Sequence, residues 1–183
     1  MTDLRSAPVP DLRPGEHLRG PEEAPVVIVY ADFTCPRCAL AQARLSAAPL
    51  RVAFRHFALS ARHPRGLAVA LAAEAAGQQG AFWAMHDSLF ADPARLEDPH
   101  LWARARTLGL DLERFEADRR APEPAIPAAR VARDLRDGLR AGVAVTPTLF
   151  VDGRALPGPP SEALLADLAR PRGPGELDPP RPG

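Results

Sequence analysis

Cys35 and Cys38 are the only cysteines in this chain of 183 residues, and just Pro36 and Arg37 separate them. Two thiols at this spacing suit reversible disulfide chemistry or half of a metal site. A structural zinc ion takes four ligands, and no two of His17, His56, His63, His86 and His100 are three to five residues apart to complete the set. A pair of inert buried thiols is the remaining alternative. The context favours redox chemistry, because the pair ends an apolar β-branched run and opens a helix-like stretch. No metal or cofactor is expected.

A thiol must ionise before it attacks a disulfide, so its surroundings decide its reactivity. If a helix starts at Pro36, the sulfur of Cys35 lies at its N-terminus, where free N–H groups and the macrodipole favour an anion. Arg37 adds a fixed positive charge. Pro36 and Arg37 are therefore the candidate thiolate-stabilising residues, and both effects should lower the pKa of Cys35. Cys38, inside the first helical turn, is the more shielded thiol and suits the resolving role. A stabilised thiolate favours the reduced pair and pushes it toward being an oxidant.

The elements that position these thiols can be read outward from them. Val26 to Tyr30 is a continuous β-branched and aromatic run, short enough for a strand buried on both faces. Pro36 to about Ala48 predicts a helix with proline in its first turn, and Arg51 to Phe57 a second strand. From His63 to Gly142 the pattern is helical. Leu67, Ala70, Leu71 and Glu74 mark one helix, and Phe82, Met85, His86 and Leu89 another. Leu101, Ala105 and Leu108 mark a third, and Leu112 and Phe115 a short fourth. A fifth begins near Ile126, tolerates Pro127 only in its first turn, and carries Val131, Leu135 and Leu139 on one side. Arg130, Arg133, Arg136 and Arg140 read as its solvated face. The chain then returns to strand at Thr148–Val151, turns at Asp152-Gly153 into Arg154–Leu156, and closes with a helix capped by Ser161.

The order β-α-β, helical block, β-β-α predicts an α/β thioredoxin-like fold with a helical insertion at about 63–142. Residues 1–24 read as an extended lead-in, 25–170 as the single domain, and 171–183 as a disordered Pro/Gly/Arg-rich tail. The 23 acidic residues balance 23 basic ones, so no net field attracts nucleic acid or an anionic membrane. Every basic residue is arginine, which excludes Schiff-base catalysis. No signal-like or membrane-spanning apolar run is found, so a cytoplasmic location without membrane insertion is expected.

Four stretches resemble the DsbA-like branch of the thioredoxin superfamily. They are Tyr30-Ala31-Asp32-Phe33-Thr34-Cys35-Pro36-Arg37-Cys38, Phe54-Arg55-His56-Phe57, the run from Glu74 to Phe90, and the run from Gly142 to Gly153. The lead-in Pro21 to Val26 is similar to that of one group within the branch. The resemblance implies a cis peptide bond before Pro147, with the Thr146-Pro147 turn lying against the cysteines and binding substrate main chain. In two places the chain departs from the family pattern. Val29 stands where the family usually has a buried acid serving the resolving thiol, so proton transfer to Cys38 must take another route. Val145 stands where a small residue is common, which narrows the substrate groove.

The leading functional reading is an oxidoreductase that exchanges disulfides with protein, peptide or small thiols through a Cys35 mixed disulfide resolved by Cys38. A low-molecular-weight thiol or a thioredoxin-type protein would serve as its electron partner. The alternative is a binding or regulatory module without significant turnover, with a membrane transporter as one kind of partner, since similar domains occur fused to antiporters. A glutathione-linked isomerase or transferase is disfavoured because both cysteines are present. His56 and His86 are read as structural, and Phe82, Trp83 and Phe90 as core or insertion-interface aromatics.

Overall fold

Strand formation follows the β-branched runs. Val26–Ala31 (β2) and Arg51–His56 (β3) pair in parallel, with Val27 beside Val52 and Val29 beside Phe54. The structure, a computed structural model, describes residues 10–59 and 63–170. The expected tail at 171–183 lies outside the described residues. Between β2 and β3 runs helix α1, Pro36–Ser46. His17–Arg19 (β1) flanks β3, and Thr148–Val151 (β4) and Arg154–Pro157 (β5) extend the sheet beyond β2 in the order β1-β3-β2-β4-β5. Only the β2–β3 pair is parallel. The β4–β5 turn places Asp152 at φ 45° and Gly153 at φ 81°, the two left-handed positions a tight hairpin needs.

Alternation along the strands divides the core. Val27, Val29, Ala31, Val52, Phe54, Leu149 and Val151 face Cys38 and Leu45 of α1 and Leu165 and Leu168 of the closing helix α7, Glu162–Leu168. The Ser161 side chain caps α7 by accepting from the Leu164 N–H. Four helices pack on this same side: Gly66–Gly77 (α2), Phe82–Ala91 (α3), Asp98–Thr107 (α4) and Leu112–Arg120 (α5). Ile28, Tyr30, Ala53, Phe57 and Phe150 point the other way, toward Leu135 of helix α6, Ile126–Arg140, and toward Ala141 and Val143 just beyond its end. The packing therefore divides the stretch 63–142 that the sequence presents as one insertion: α2–α5 lie over one face of the sheet and α6 crosses the other.

Three expectations are corrected. The stretch read as an extended lead-in contains β1, which pairs antiparallel with β3. Its three residues are too few to show a period, and the open edge of β3 supplies the ladder partners. The same stretch is fastened by buried charge: Glu16 is ion-paired with Arg55 at 3.1 Å, and Arg13 with Asp134 at 2.8 Å.

On α6, Val131 is buried but Leu139 is 55% exposed. Asp134 and Gly138 turn toward the sheet instead. Asp134 accepts the backbone N–H of His56, and Gly138 lets the helix approach the Phe57 ring.

Arg130 is not on a solvated face. It is ion-paired with the fully buried Glu74 at 3.0 Å and donates to the Gly15 carbonyl at 2.7 Å. No helix among the described residues is long and apolar enough to cross a membrane.

Candidate functional site

The loop that presents the thiols is built from its own sequence. After β2 ends, the Asp32 carboxylate accepts from the Thr34 N–H at 2.8 Å and the Thr34 hydroxyl at 2.6 Å, folding the chain back on itself. The Cys35 N–H donates to the Asp32 carbonyl at 3.1 Å. Phe33 anchors the loop inward, with its ring centroid 5.2 Å from Phe54, 4.9 Å from Phe90 and 5.6 Å from His86. Cys35 is the extended N-cap residue of α1 and Pro36 opens the helix, so the Cys35 sulfur sits at the helix N-terminus.

The two thiols are both free, yet their surroundings differ. Cys35 is 7% exposed and its S–H donates to the Thr146 carbonyl at 3.6 Å. Cys38 is 1% exposed and accepts the Asp32 N–H at 3.5 Å. Burial pushes the Cys38 thiol far above its ordinary range, and the neighbouring Cys35 adds to the effect, against a partial offset from the Asp32 N–H. Cys38 is thus held as a neutral thiol until something beside it changes.

Cys35 opens onto a groove of about 170 Å³ lined by Arg37, Phe57, Leu59, His63, Val145 and Thr146. The Thr146–Pro147 peptide bond is cis, and Pro147 is buried. Thr148 braces the turn by donating its hydroxyl to the Val145 carbonyl at 2.7 Å, and the Gly158 N–H donates to the Pro147 carbonyl at 2.7 Å. The residues singled out in the sequence therefore lie together: Cys35, Arg37 and Thr146 on the groove, Cys38 and Pro147 behind it, and Pro36 exposed at the start of α1. Leu59 carries no signal in the sequence, and His63 is weighed there only as a zinc ligand and as the start of the helical stretch. Phe57 was placed only as the end of a strand, and nothing local shows that it walls a groove.

Val29, 2% exposed, fills the family's acid position with a methyl-bearing side chain packed in the core. The nearby Asp32 is also buried, but one carboxylate oxygen is used by Thr34 and the other lies over Gly66. The buried histidines serve the scaffold. His56 and His17 both bond one Glu74 oxygen at 2.8 Å, and His86 bonds Asp87 at 2.8 Å. Burial would raise the Glu74 carboxyl, but these two histidines hold it down at about 2. Burial pushes His86 down to about 4, so it is neutral near pH 7. Among the described residues no cluster of three or more His, Cys, Asp or Glu could hold a metal ion.

A parallel-centred sheet, an N-cap cysteine followed three residues on by a buried one, and a cis-proline turn against them define a DsbA-like protein of the thioredoxin superfamily, a class suited to thiol–disulfide exchange. The chain belongs to the thioredoxin family, whose profile matches residues 12–168. Solved structures agree. A thioredoxin-like oxidoreductase from Silicibacter pomeroyi is 26% identical with a TM-score of 0.75, over 85% of this chain and 91% of that one. Pseudomonas aeruginosa DsbA2 is 26% identical with a TM-score of 0.68, over 86% and 94%. Among curated relatives, a Na(+)/H(+) antiporter NhaA 3 of Salinispora tropica is 44% identical over 161 residues, which is 82% of this chain and 24% of that protein. An antiporter NhaA of Herminiimonas arsenicoxydans is 42% identical over 150 residues, 78% and 23% respectively. The chain spans about a quarter of the length of these curated relatives.

Proposed function

We propose that the chain exchanges disulfides with protein, peptide or small thiols through a mixed disulfide at Cys35 that Cys38 resolves. One observation carries this reading: Cys35 faces the groove against the Thr146 carbonyl while Cys38 is sealed behind it. In the reducing direction the Cys35 thiolate attacks one sulfur of a substrate disulfide. A Cys35–substrate S–S bond forms, and the other substrate sulfur leaves as a thiolate that takes up a proton. Cys38 then gives up its proton and attacks Cys35, which forms the Cys35–Cys38 disulfide and releases the second substrate thiol. The protein has lost two electrons and the substrate has gained them; the reverse sequence oxidises a dithiol. A low-molecular-weight thiol or a thioredoxin-type protein restores the starting state.

The test is a pair of variants. Cys35→Ser abolishes exchange, whereas Cys38→Ala accumulates a covalent substrate adduct at Cys35, visible as added mass that dithiothreitol removes. An active Cys35→Ser protein would end the proposal. Equilibration against a glutathione redox series sets the direction. The helix N-terminus at Cys35 supports a pair more oxidising than the roughly −270 mV of thioredoxin, and a value that low would reverse the assignment.

The likeness to one quarter of the antiporters favours a second reading, a thioredoxin-fold module that acts by binding a membrane transporter. Binding that persists in Cys35→Ser while no wild-type exchange is measurable would select it.

A further inference from the structure

Recognition in this groove cannot rest on enclosure. About 170 Å³ is less than the several hundred of a small-molecule pocket, enough for a reacting cysteine and part of one neighbour. Discrimination must come from the rim, and the rim is uneven in charge. Phe57, Leu59 and Val145 are apolar, and the lining holds no acid. Asp32, the acid nearest in sequence, is buried and turned toward Thr34 and Gly66.

Arg37 is the permanent charge on the rim, which also holds the imidazole of His63. It lies on the first turn of α1, is exposed, and has no carboxylate or carbonyl partner among the described residues. Five less exposed arginines are matched: Arg13 to Asp134, Arg55 to Glu16, Arg65 to Asp98, Arg119 to Asp98 and Arg130 to Glu74. Its guanidinium reaches across to the cis-proline side, where a β-carbon on Gly158 would come within 2.8 Å of its Nη2. Gly158 sits at φ 94°, a conformation that side chains other than glycine rarely adopt. The missing side chain is thus what leaves room for the guanidinium beside the turn that faces Cys35. A planar cation of this kind is suited to a carboxylate.

We propose that Arg37 is a specificity-determining residue which selects disulfides and thiols carrying a carboxylate within a few bonds of the reacting sulfur. The assignment rests on the exchange function above. It adds a role distinct from any influence of Arg37 on the Cys35 thiolate, which would act on all substrates alike.

The experiment compares rates of the reduced wild-type protein, Arg37→Gln and Arg37→Lys with a dianionic disulfide, 3,3′-dithiodipropionate, and a neutral one, 2-hydroxyethyl disulfide. Arg37→Gln lowers the anionic-to-neutral rate ratio by about 3- to 5-fold, the size of an exposed ion pair, and Arg37→Lys lowers it less. The wild-type ratio also falls with added salt. An unchanged ratio in Arg37→Gln overturns the assignment, even if both rates drop together. Reaction with neither reagent in the wild type would instead sink the exchange reading, and this assignment with it. Disulfide peptides with Glu or Gln beside the cysteine separate the two sources of carboxylate. Arg37-dependent preference for the Glu peptide assigns the site to acidic protein segments, and dependence confined to the small dicarboxylate assigns it to low-molecular-weight thiols.

Discussion

Cys35 and Thr146 are 111 positions apart in the chain, and the thiol of the first donates to the carbonyl of the second at 3.6 Å. The contact places the Cys35 sulfur at the groove, whereas Cys38, three residues further along α1, is 1% exposed. Two thiols that are nearly adjacent in sequence are therefore unequal in chemistry.

Alkylation reads this inequality directly. One equivalent of iodoacetamide on the reduced, folded protein near neutral pH should modify Cys35 and spare Cys38, because Cys38 is both enclosed and held as the unreactive thiol. Peptide mass mapping checks it. Equal labelling of the two would contradict the asymmetry.

The same burial makes the reduced protein sensitive to alkali. Cys38 has a raised folded-state pKa, so its contribution is complete below about pH 8.5, where an unfolded thiol is protonated, and is lost as pH rises beyond that. Denaturant titrations of the reduced protein should show stability falling above pH 8.5 by up to about 1.4 kcal/mol per pH unit more than in reduced Cys38→Ala. Parallel curves for the two proteins would remove the explanation.

In acid, two groups act in successive windows. His86 has a folded-state pKa lowered to about 4 by burial, so its contribution is present above about pH 6.5 and is lost between there and pH 4. Glu74 is held at about 2 by His17 and His56 against the opposing effect of burial, so its contribution disappears between about pH 4.3 and 2. His86→Phe should flatten only the upper window of a stability–pH curve, and Glu74→Gln only the lower. A single window lost in both variants would show that the groups are not separable.

Gly138 tests α6 against the sheet. Alanine improves helix propensity by about 1 kcal/mol at an exposed site. At Gly138, however, the added β-carbon would stand 2.7 Å from the buried Phe57 ring and 3.0 Å from Tyr30. Gly138→Ala should therefore destabilise, by about 1–2 kcal/mol in chemical denaturation, since overpacking outweighs propensity. A gain in stability would mean that α6 can lift from the sheet at little cost.

What could be read from the sequence was what is local. The run Val26–Tyr30 before the cysteines, Pro36 at the start of α1, the Asp152-Gly153 turn and the Ser161 cap each depend on a few adjacent residues, and each is found where the pattern puts it. The missing parts are pairings over long separations. β1 exists because β3 offers an edge, Glu16 is buried because Arg55 meets it, and Arg130 leaves solvent because the buried Glu74 meets it from α2. None of these residues carries its partner in its own neighbourhood. The groove is similar: Cys35 announces itself, but Leu59 and His63 acquire meaning only when β3 delivers them beside Thr146.

Phe33, two residues before Cys35, is wedged between Phe54 of β3 and Phe90 and His86 of α3. The loop that presents Cys35 thus shares its footing with the helices above the sheet. Opening of α3 should therefore release the cysteine loop with it, and amide protons of the two segments should exchange at a common rate in a hydrogen-exchange measurement. The helical block is in this sense an anvil under the active-site loop, and damage to it far from any sulfur would be felt as lost order at Cys35.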